Sequence, residues 1–167
     1  SSERVWIETS RALCSSNPSN YFEKIISLDL IEPFFENLKI THCHSHSDSQ
    51  IRWSELQKNN HFKLGNKMPI PNEFKNASNV LNSISKITNN VEECHLIKII
   101  RETHFKRNKE LIDKLLTLPC LSKNKDFVSS IADELNNTDF SFLSGIPKEK
   151  VESEKSKIYK KILEKFI

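Results

Sequence analysis

The chain has 167 residues, enough for one domain or two small subdomains with a hydrophobic core but too few for a large multidomain enzyme. Hydrophobic residues make up 37% of it, and no apolar run approaches the roughly 20 residues that a membrane-spanning helix needs, so we expect a soluble cytoplasmic protein. Only two glycines, Gly65 and Gly145, occur. This scarcity excludes glycine-rich phosphate loops of the Rossmann or P-loop type and disfavours architectures rich in β-hairpins.

The net charge of +3 is unevenly distributed along the chain. Residues 146–167 hold seven lysines against four glutamates, residues 98–125 hold eight basic against three acidic residues, and residues 1–36 hold three basic against six acidic residues. A basic rear half suits a polyanionic partner. The alternative is an ordinary solvated lysine-rich surface, which composition alone favours.

The four cysteines are widely spaced, without a C-x-x-C motif, and the first residues lack the apolar core of a signal peptide. We therefore expect reduced cytosolic thiols. They are Cys14, Cys43, Cys94 and Cys120.

Apolar spacing predicts an all-α fold, an irregular multi-helix body with a charged C-terminal helix. Ser1-Ser2 is suited to cap a first helix, Asn17-Pro18 to open a second, and Pro71-Asn72 to open the clearest one. Its apolar residues recur every three or four positions and should face the core: Phe74, Ala77, Val80, Leu81, Ile84 and Ile87.

Further helices follow in the second half of the chain. Asn89 or Asn90 is predicted to cap one, and Asn108 to cap another that Pro119 ends. A short helix carries Phe127 to Leu135, and a long, mostly charged helix follows the break at residues 145–147. The stretch from Thr41 to Pro71 is predicted to be irregular, with one short helix near Ile51 to Leu56.

The run His42-Cys43-His44-Ser45-His46 carries the side chains that zinc and other transition metals prefer. No second ligand pair at structural-zinc spacing accompanies it, so we assign no metal ligand and interpret the run as a polar loop. Cys94 and His95 are neighbours that should diverge on a helix, with Cys94 filling the core and His95 at the surface. The chain also lacks the D-x-D type of carboxylate cluster that two-metal chemistry needs.

Basic residues flank an aromatic residue in the segment from His104 to Lys109, at a predicted junction of two helices. Cations at such a junction are able to contact phosphates, and the alternative is a solvated turn with Phe105 facing inward. The candidate RNA-binding residues are Lys98, Arg101, Lys106, Arg107 and Lys109.

Three segments of this chain resemble the neck, body and tail of bacterial class II CCA-adding enzymes, the tRNA nucleotidyltransferases. Residues 2–9 are similar to a helix of the form ERVWxE, and Pro69–Phe74 to an RVPNEI helix opening. Gly145-Ile146 and the lysine-rich end are similar to a G-x-x-I motif followed by a charged terminal helix. The first match continues through Ala12-Leu13, Asn17-Pro18, Phe22, Leu28–Ile31 and Phe34–Glu36.

The resemblance also shows what has no counterpart in this chain. The family's catalytic head, with its G-G-x-x-R-D loop and D-x-D metal site, and its neck motif E-D-x-x-R precede the matching region. Ile51–Leu56 is similar to the approach to the His-Asp pair of the family's HD phosphohydrolase segment, but Gln57-Lys58 follows where His-Asp is expected. We therefore expect a degenerate HD segment without phosphohydrolase activity.

The resemblance divides the chain into neck/body-like helices at 1–40, an irregular linker in place of an HD segment at 41–70, and body/tail-like helices at 71–167. It implies a tRNA-binding module without a nucleotidyl-transfer site of its own. Mg²⁺ and CTP or ATP would belong to the absent head, so no cofactor is assigned to this chain. The alternatives are a partner subunit of a split CCA-adding enzyme, with a separate nucleotidyltransferase head, and a decayed, non-catalytic helical interaction protein.

Overall fold

A computed structural model describes all residues from Ser1 to Ile167 and confirms the all-α fold. It contains eight α-helices, two short 3₁₀ helices at Pro119–Leu121 and Ser141–Gly145, and no strands. The helices are α1 (Ser2–Leu13), α2 (Ser19–Ser27), α3 (Ser49–Asn59), α4 (Asn72–Ile84), α5 (Glu93–Thr103), α6 (Lys109–Leu115), α7 (Lys125–Asn137) and α8 (Lys148–Leu163).

The chain forms two compact units. Unit 1 comprises Ser1–Asn82 with Thr117–Pro119, and unit 2 comprises Ser83–Leu116 with Cys120–Ile167. These units reflect contacts in space, whereas the regions 1–40, 41–70 and 71–167 reflect composition and resemblance. The three-region division stays a prediction.

An aromatic cluster forms the centre of unit 1. Trp6 of α1 packs edge-on against Trp53 of α3 and Phe74 of α4, with ring centroids 5.4 Å and 5.0 Å apart. Phe22 of α2 packs in the same manner against Phe35, at 6.1 Å. Such edge-to-face pairs add specificity to the burial of large apolar surfaces, so they help to fix how α1 meets α3 and α4 and how α2 meets the segment that follows it.

Helix α3 confirms the short helix predicted near Ile51 to Leu56 and extends beyond it. Asp48 caps its start by accepting a hydrogen bond from the Gln50 amide at 2.8 Å. Seven consecutive residues, Ile51–Gln57, are buried, so the helix is surrounded on all sides. Because several of these residues are polar, the sequence has no apolar stripe that would indicate the helix.

Gln57 occupies the position at which the resemblance to an HD segment would require histidine. Its side chain stabilises the turn that follows α3. Its side-chain amide donates to the Leu64 carbonyl at 2.9 Å and its oxygen accepts from the Leu64 amide at 3.1 Å. Gly65 follows with a φ of +73°, and a Cβ there would lie 2.8 Å from Met68 and 2.9 Å from Ile70. Glycine is favoured at this turn, because its φ is positive and a Cβ would displace the ends of these two side chains.

Unit 2 is built from α5 to α8 around a mostly aliphatic core. Helix α8 packs against α5 and α7, and α6 packs against α7. Asn124 ties the start of α7 to the chain after α4 by donating to the carbonyls of Ile84 and Ile87, both at 3.0 Å. The core consists of Leu96, Ile100, Phe105, Ile112, Leu115, Val128, Ile131, Leu135, Ile162 and Leu163.

The helix starts agree with the sequence at some caps and differ at others. Ser1 accepts from the Arg4 amide and caps α1, as predicted. The cap predicted at Asn89 or Asn90 is wrong, because α5 begins later, with Glu92 at its N-cap position. Asn108 does occupy the N-cap position of α6, but its side chain makes no capping bond.

None of the eight helices has both the length and the apolar character that crossing a lipid bilayer would require.

Candidate nucleic-acid interface

The predicted junction is a fixed turn between α5 and α6 in unit 2. Helix α5 ends at Thr103, and His104 adopts a left-handed conformation with φ of 51°. Phe105 is buried beneath the turn, and the Asn108 side chain donates to the Thr103 carbonyl at 2.8 Å. The buried ring and this bond hold the backbone while Lys106 and Arg107 remain exposed.

This turn forms one wall of a groove of about 330 Å³. Its volume lies near the lower end of the roughly 300–1,000 Å³ typical of small-molecule sites. The other walls come from the end of α5, from α7 and the segment after it, and from α8. The lining residues are Ile100, Arg101, His104, Phe105, Lys106, Arg107, Leu135, Phe140, Glu152, Lys155 and Tyr159.

Four cationic side chains and a single carboxylate line the groove. Arg101 lies 3.4 Å from the Glu152 carboxylate and donates to the Ser156 hydroxyl at 2.9 Å, and Lys155 lies 3.2 Å from Glu152. One glutamate is thus shared by two cations. Arg107 makes no side-chain hydrogen bond or ion pair, so the groove carries an excess of positive charge.

Lys106 is positioned by the end of α7 and the segment that follows. Its ammonium group donates to the Thr138 carbonyl and lies 4.7 Å from the centroid of the Phe140 ring. Hydrogen bonds from the amide and hydroxyl of Ser141 lower the pKa of the neighbouring Asp139 carboxyl, and the charge of Lys106 lowers it further. Lys106 is therefore held at the groove edge rather than free in solvent.

Tyr159 and Phe140 give the groove an aromatic side. Their ring centroids lie 6.2 Å apart with planes inclined at 59°. Burial raises the pKa of the Tyr159 phenol above its ordinary value of 10.0, so at neutral pH this hydroxyl is a hydrogen-bond donor. Cations beside aromatic faces can contact phosphates and bases together.

Comparison with protein-family models, curated proteins and solved structures finds no match to this chain.

The groove includes three of the five predicted RNA-binding residues: Arg101, Lys106 and Arg107. Lys98 is exposed on α5 but is not part of the lining, and Lys109 pairs with Asp113 within α6 at 3.4 Å. The sequence does not identify the other cationic and aromatic residues of the groove, which are Phe140, Lys155 and Tyr159. Lys155 and Tyr159 lie about fifty positions downstream on a helix whose charged faces look alike in sequence, so no local signal links them to the turn.

The histidine run lies in unit 1, and each of its three histidines contacts different polar groups. His42 Nε2 lies 3.0 Å from the Ser45 hydroxyl and 3.4 Å from the buried Glu55 carboxylate. His44 Nδ1 lies 3.1 Å from the Ser19 hydroxyl, and His46 Nδ1 accepts from the Asp48 amide at 2.9 Å. Ser45 and Glu55 both contact Nε2 of His42. A catalytic triad would instead need them on opposite ring nitrogens.

Cys94 differs from its prediction as a small core residue, because it is exposed at the start of α5. Its sulfur lies 3.9 Å from Nδ1 of His95, so the two side chains approach one another instead of diverging. Both residues lie in the first turn of α5. His95 is exposed, as predicted.

Proposed function

We propose that unit 2 binds structured RNA through this groove, and that its target is tRNA. One observation supports the proposal: four cations and the rings of Phe140 and Tyr159 line a single groove that contains one acid. The tRNA target rests on the resemblance to the body and tail of CCA-adding enzymes. In this proposal the chain acts in the cytoplasm, and any nucleotide or Mg²⁺ belongs to a separate nucleotidyltransferase head.

The chemistry of the groove suits a nucleic-acid backbone with an accessible base. Guanidinium and ammonium groups contact phosphates, and each neutralised phosphate makes binding sensitive to salt. The face of Tyr159 or Phe140 is suited to stack an unpaired base. The major groove of double-helical RNA is too deep and narrow for side chains to read its base edges. Recognition by shape, by phosphates and by the 2′-hydroxyls of the minor groove is therefore expected.

The direct test replaces Arg107 and Lys155 together by alanine and measures tRNA affinity across a salt series. Removing two phosphate contacts should weaken binding at low salt and reduce the slope of log affinity against log salt by about one to two units. The matched control replaces Lys157 and Lys165, which are exposed, lie outside the groove and pair with Glu154 and Glu134. It removes the same charge and should leave the slope close to that of the parent.

An equal loss in both double variants would show that only net charge matters, and the groove would then be the wrong surface. A competition with duplex RNA of equal length tests the tRNA target separately. If the parent shows no preference for tRNA, the chain is a general RNA-binding module. If it does not bind RNA at all, the remaining interpretation is a helical interaction protein.

A further inference from the structure

We propose that Glu92, Cys94 and His95 form a Zn²⁺ site at the start of α5. These residues lie outside the RNA groove and the predicted RNA-binding set. Their candidate ligand atoms come within 4.8 Å of one another, and all three side chains are exposed. The proposal is independent of RNA binding.

The distances between the three ligand atoms match one face of a zinc tetrahedron. Cys94 Sγ lies 3.7 Å from Glu92 Oε2 and 3.9 Å from His95 Nδ1, and the Glu92 oxygen lies 3.6 Å from the same nitrogen. Zinc holds sulfur, nitrogen and oxygen ligands at about 2.0–2.3 Å, which places tetrahedral ligands about 3.3–3.8 Å apart. A tetrahedral ion lies just off the plane of such a face, and only small side-chain movements are needed to bring the three ligand atoms to it.

The backbone beneath the three side chains is fixed by the first turn of the helix. The Glu92 carbonyl accepts hydrogen bonds from the amides of His95 and Leu96, both at 3.0 Å. Leu96 is completely buried and anchors this turn to the core of unit 2. Although Glu92 occupies the N-cap position, its carboxylate makes no capping bond and faces the cysteine and the histidine instead.

The ligand types favour zinc over the hard cations. Thiolate and imidazole are ligands that Zn²⁺ prefers, whereas Mg²⁺ and Ca²⁺ take oxygen ligands almost exclusively. Cys94 would bind as the thiolate, releasing its proton to solvent when the ion binds. With three protein ligands, the fourth position of the tetrahedron is left for water.

The surroundings leave the three ligands available to the ion. The side chains of His95 and Glu92 are 67% and 79% exposed, so a hydrated ion reaches them directly from solvent. The next acid in the chain, Glu93, lies 3.7 Å from Lys160 of α8 and is paired there. Glu92 is therefore the carboxylate that accompanies the cysteine and the histidine.

The test titrates the full chain, free of RNA, with Zn²⁺ against a chromogenic chelator and with Co²⁺ as a spectroscopic substitute. We expect one tight ion per chain and a thiolate-to-cobalt absorption band. Cys94→Ser should abolish that band, and Cys94→Ser or His95→Gln should lower zinc affinity by more than the roughly 10- to 100-fold that loss of an outer-shell partner costs. Circular dichroism of each variant checks that the helices are retained.

Two matched controls remove the same chemistry elsewhere: Cys14→Ser and His61→Gln each replace an exposed residue outside the cluster. Both should bind zinc as the parent does. Unchanged zinc affinity in Cys94→Ser would overturn the proposal. So would a loss of binding confined to a variant with His42→Gln and His44→Gln, because it would place the ion in the histidine run of unit 1.

Discussion

Cys43 is the one cysteine of four that is buried, between the histidines of the loop before α3. Burial raises the pKa of its thiol from 9.0 to about 12, and the nearby Glu55 carboxylate adds to the increase. The folded protein therefore keeps this proton up to about pH 12, whereas the unfolded chain loses it near pH 9.0. Because the unfolded state binds fewer protons in this window, the free energy of unfolding must fall as the pH rises through it.

We predict that Cys43→Ala removes part of the alkaline destabilisation of the protein. Above the unfolded pKa, the stability difference between parent and variant should change by about 1.4 kcal/mol for each pH unit, with the parent losing more. Urea unfolding of both proteins over a pH series measures this difference. Cys14→Ala removes an exposed thiol and serves as the control. Parallel curves for the parent and Cys43→Ala would contradict the prediction.

The sequence identifies the residues that carry reactive groups. It predicts less well whether those groups are buried or exposed. The sequence predicts Cys94 in the core, because cysteine is commonly buried, but the structure exposes it. Phe105 was correctly considered as an inward-facing residue within a basic turn. The difference arises because burial at a helix start depends on the angle at which the chain enters the helix, which local composition does not determine.

Helix α3 shows how a mostly polar element becomes part of a core. Its Arg52 is only 9% exposed, and the guanidinium donates to three backbone carbonyls. These belong to Leu13 and Ser15, both at 2.7 Å, and His46, at 2.5 Å. One side chain thus joins the end of α1, the loop before α3 and α3 itself.

We predict that Arg52→Met destabilises the protein by about 3 kcal/mol, because methionine fills the space but leaves several carbonyls without a donor. Urea or thermal unfolding measures the loss. Arg11→Met is the matched control: Arg11 forms only an exposed ion pair with Glu8, at 3.1 Å, so less than about 0.5 kcal/mol should be lost. Similar losses in both variants would show that the three carbonyls do not depend on Arg52.

Helices with a clear apolar stripe could be predicted, and helices without one could be only partly predicted. The stripe of α4 has the regular spacing of a one-sided helix, and its residues from Phe74 to Ile84 are buried as expected. The extent of α3 was underestimated because Arg52, Ser54, Glu55 and Gln57 are polar yet buried. Their partners lie elsewhere in the fold, so burial of such residues follows only from the assembled structure.

At the scale of the whole chain, the net charge belongs to unit 2. Unit 1 holds nine basic and nine acidic residues, whereas unit 2 holds sixteen basic and thirteen acidic residues, which is the entire excess of +3. The sequence correctly located this excess in the rear half of the chain. It could not show which cations share a groove, because that depends on packing of α8 against α5 and α7.

We predict that the two units unfold together. The chain passes between them three times, at residues 82–83, 116–117 and 119–120, so neither unit is a continuous segment. Both tryptophans, Trp6 and Trp53, lie in unit 1, whereas circular dichroism reports all helices. Ile131→Ala, at a fully buried position of unit 2, should therefore shift both signals equally, by about 3 kcal/mol. A shift in circular dichroism alone would show independent unfolding.

The Glu152 carboxylate competes with any bound anion for two cations of the groove, Arg101 and Lys155. This carboxylate lies 3.4 Å from Arg101 and 3.2 Å from Lys155, so a phosphate that binds these two cations as proposed has to displace it. A single small anion, such as free phosphate, has to displace a tethered carboxylate whose effective concentration is high. A polymeric anion would also contact Lys106 and Arg107. These additional contacts would offset the free energy needed to displace the Glu152 carboxylate. The groove is thereby expected to discriminate by the number of linked charges, ignoring abundant small phosphates while retaining a polynucleotide.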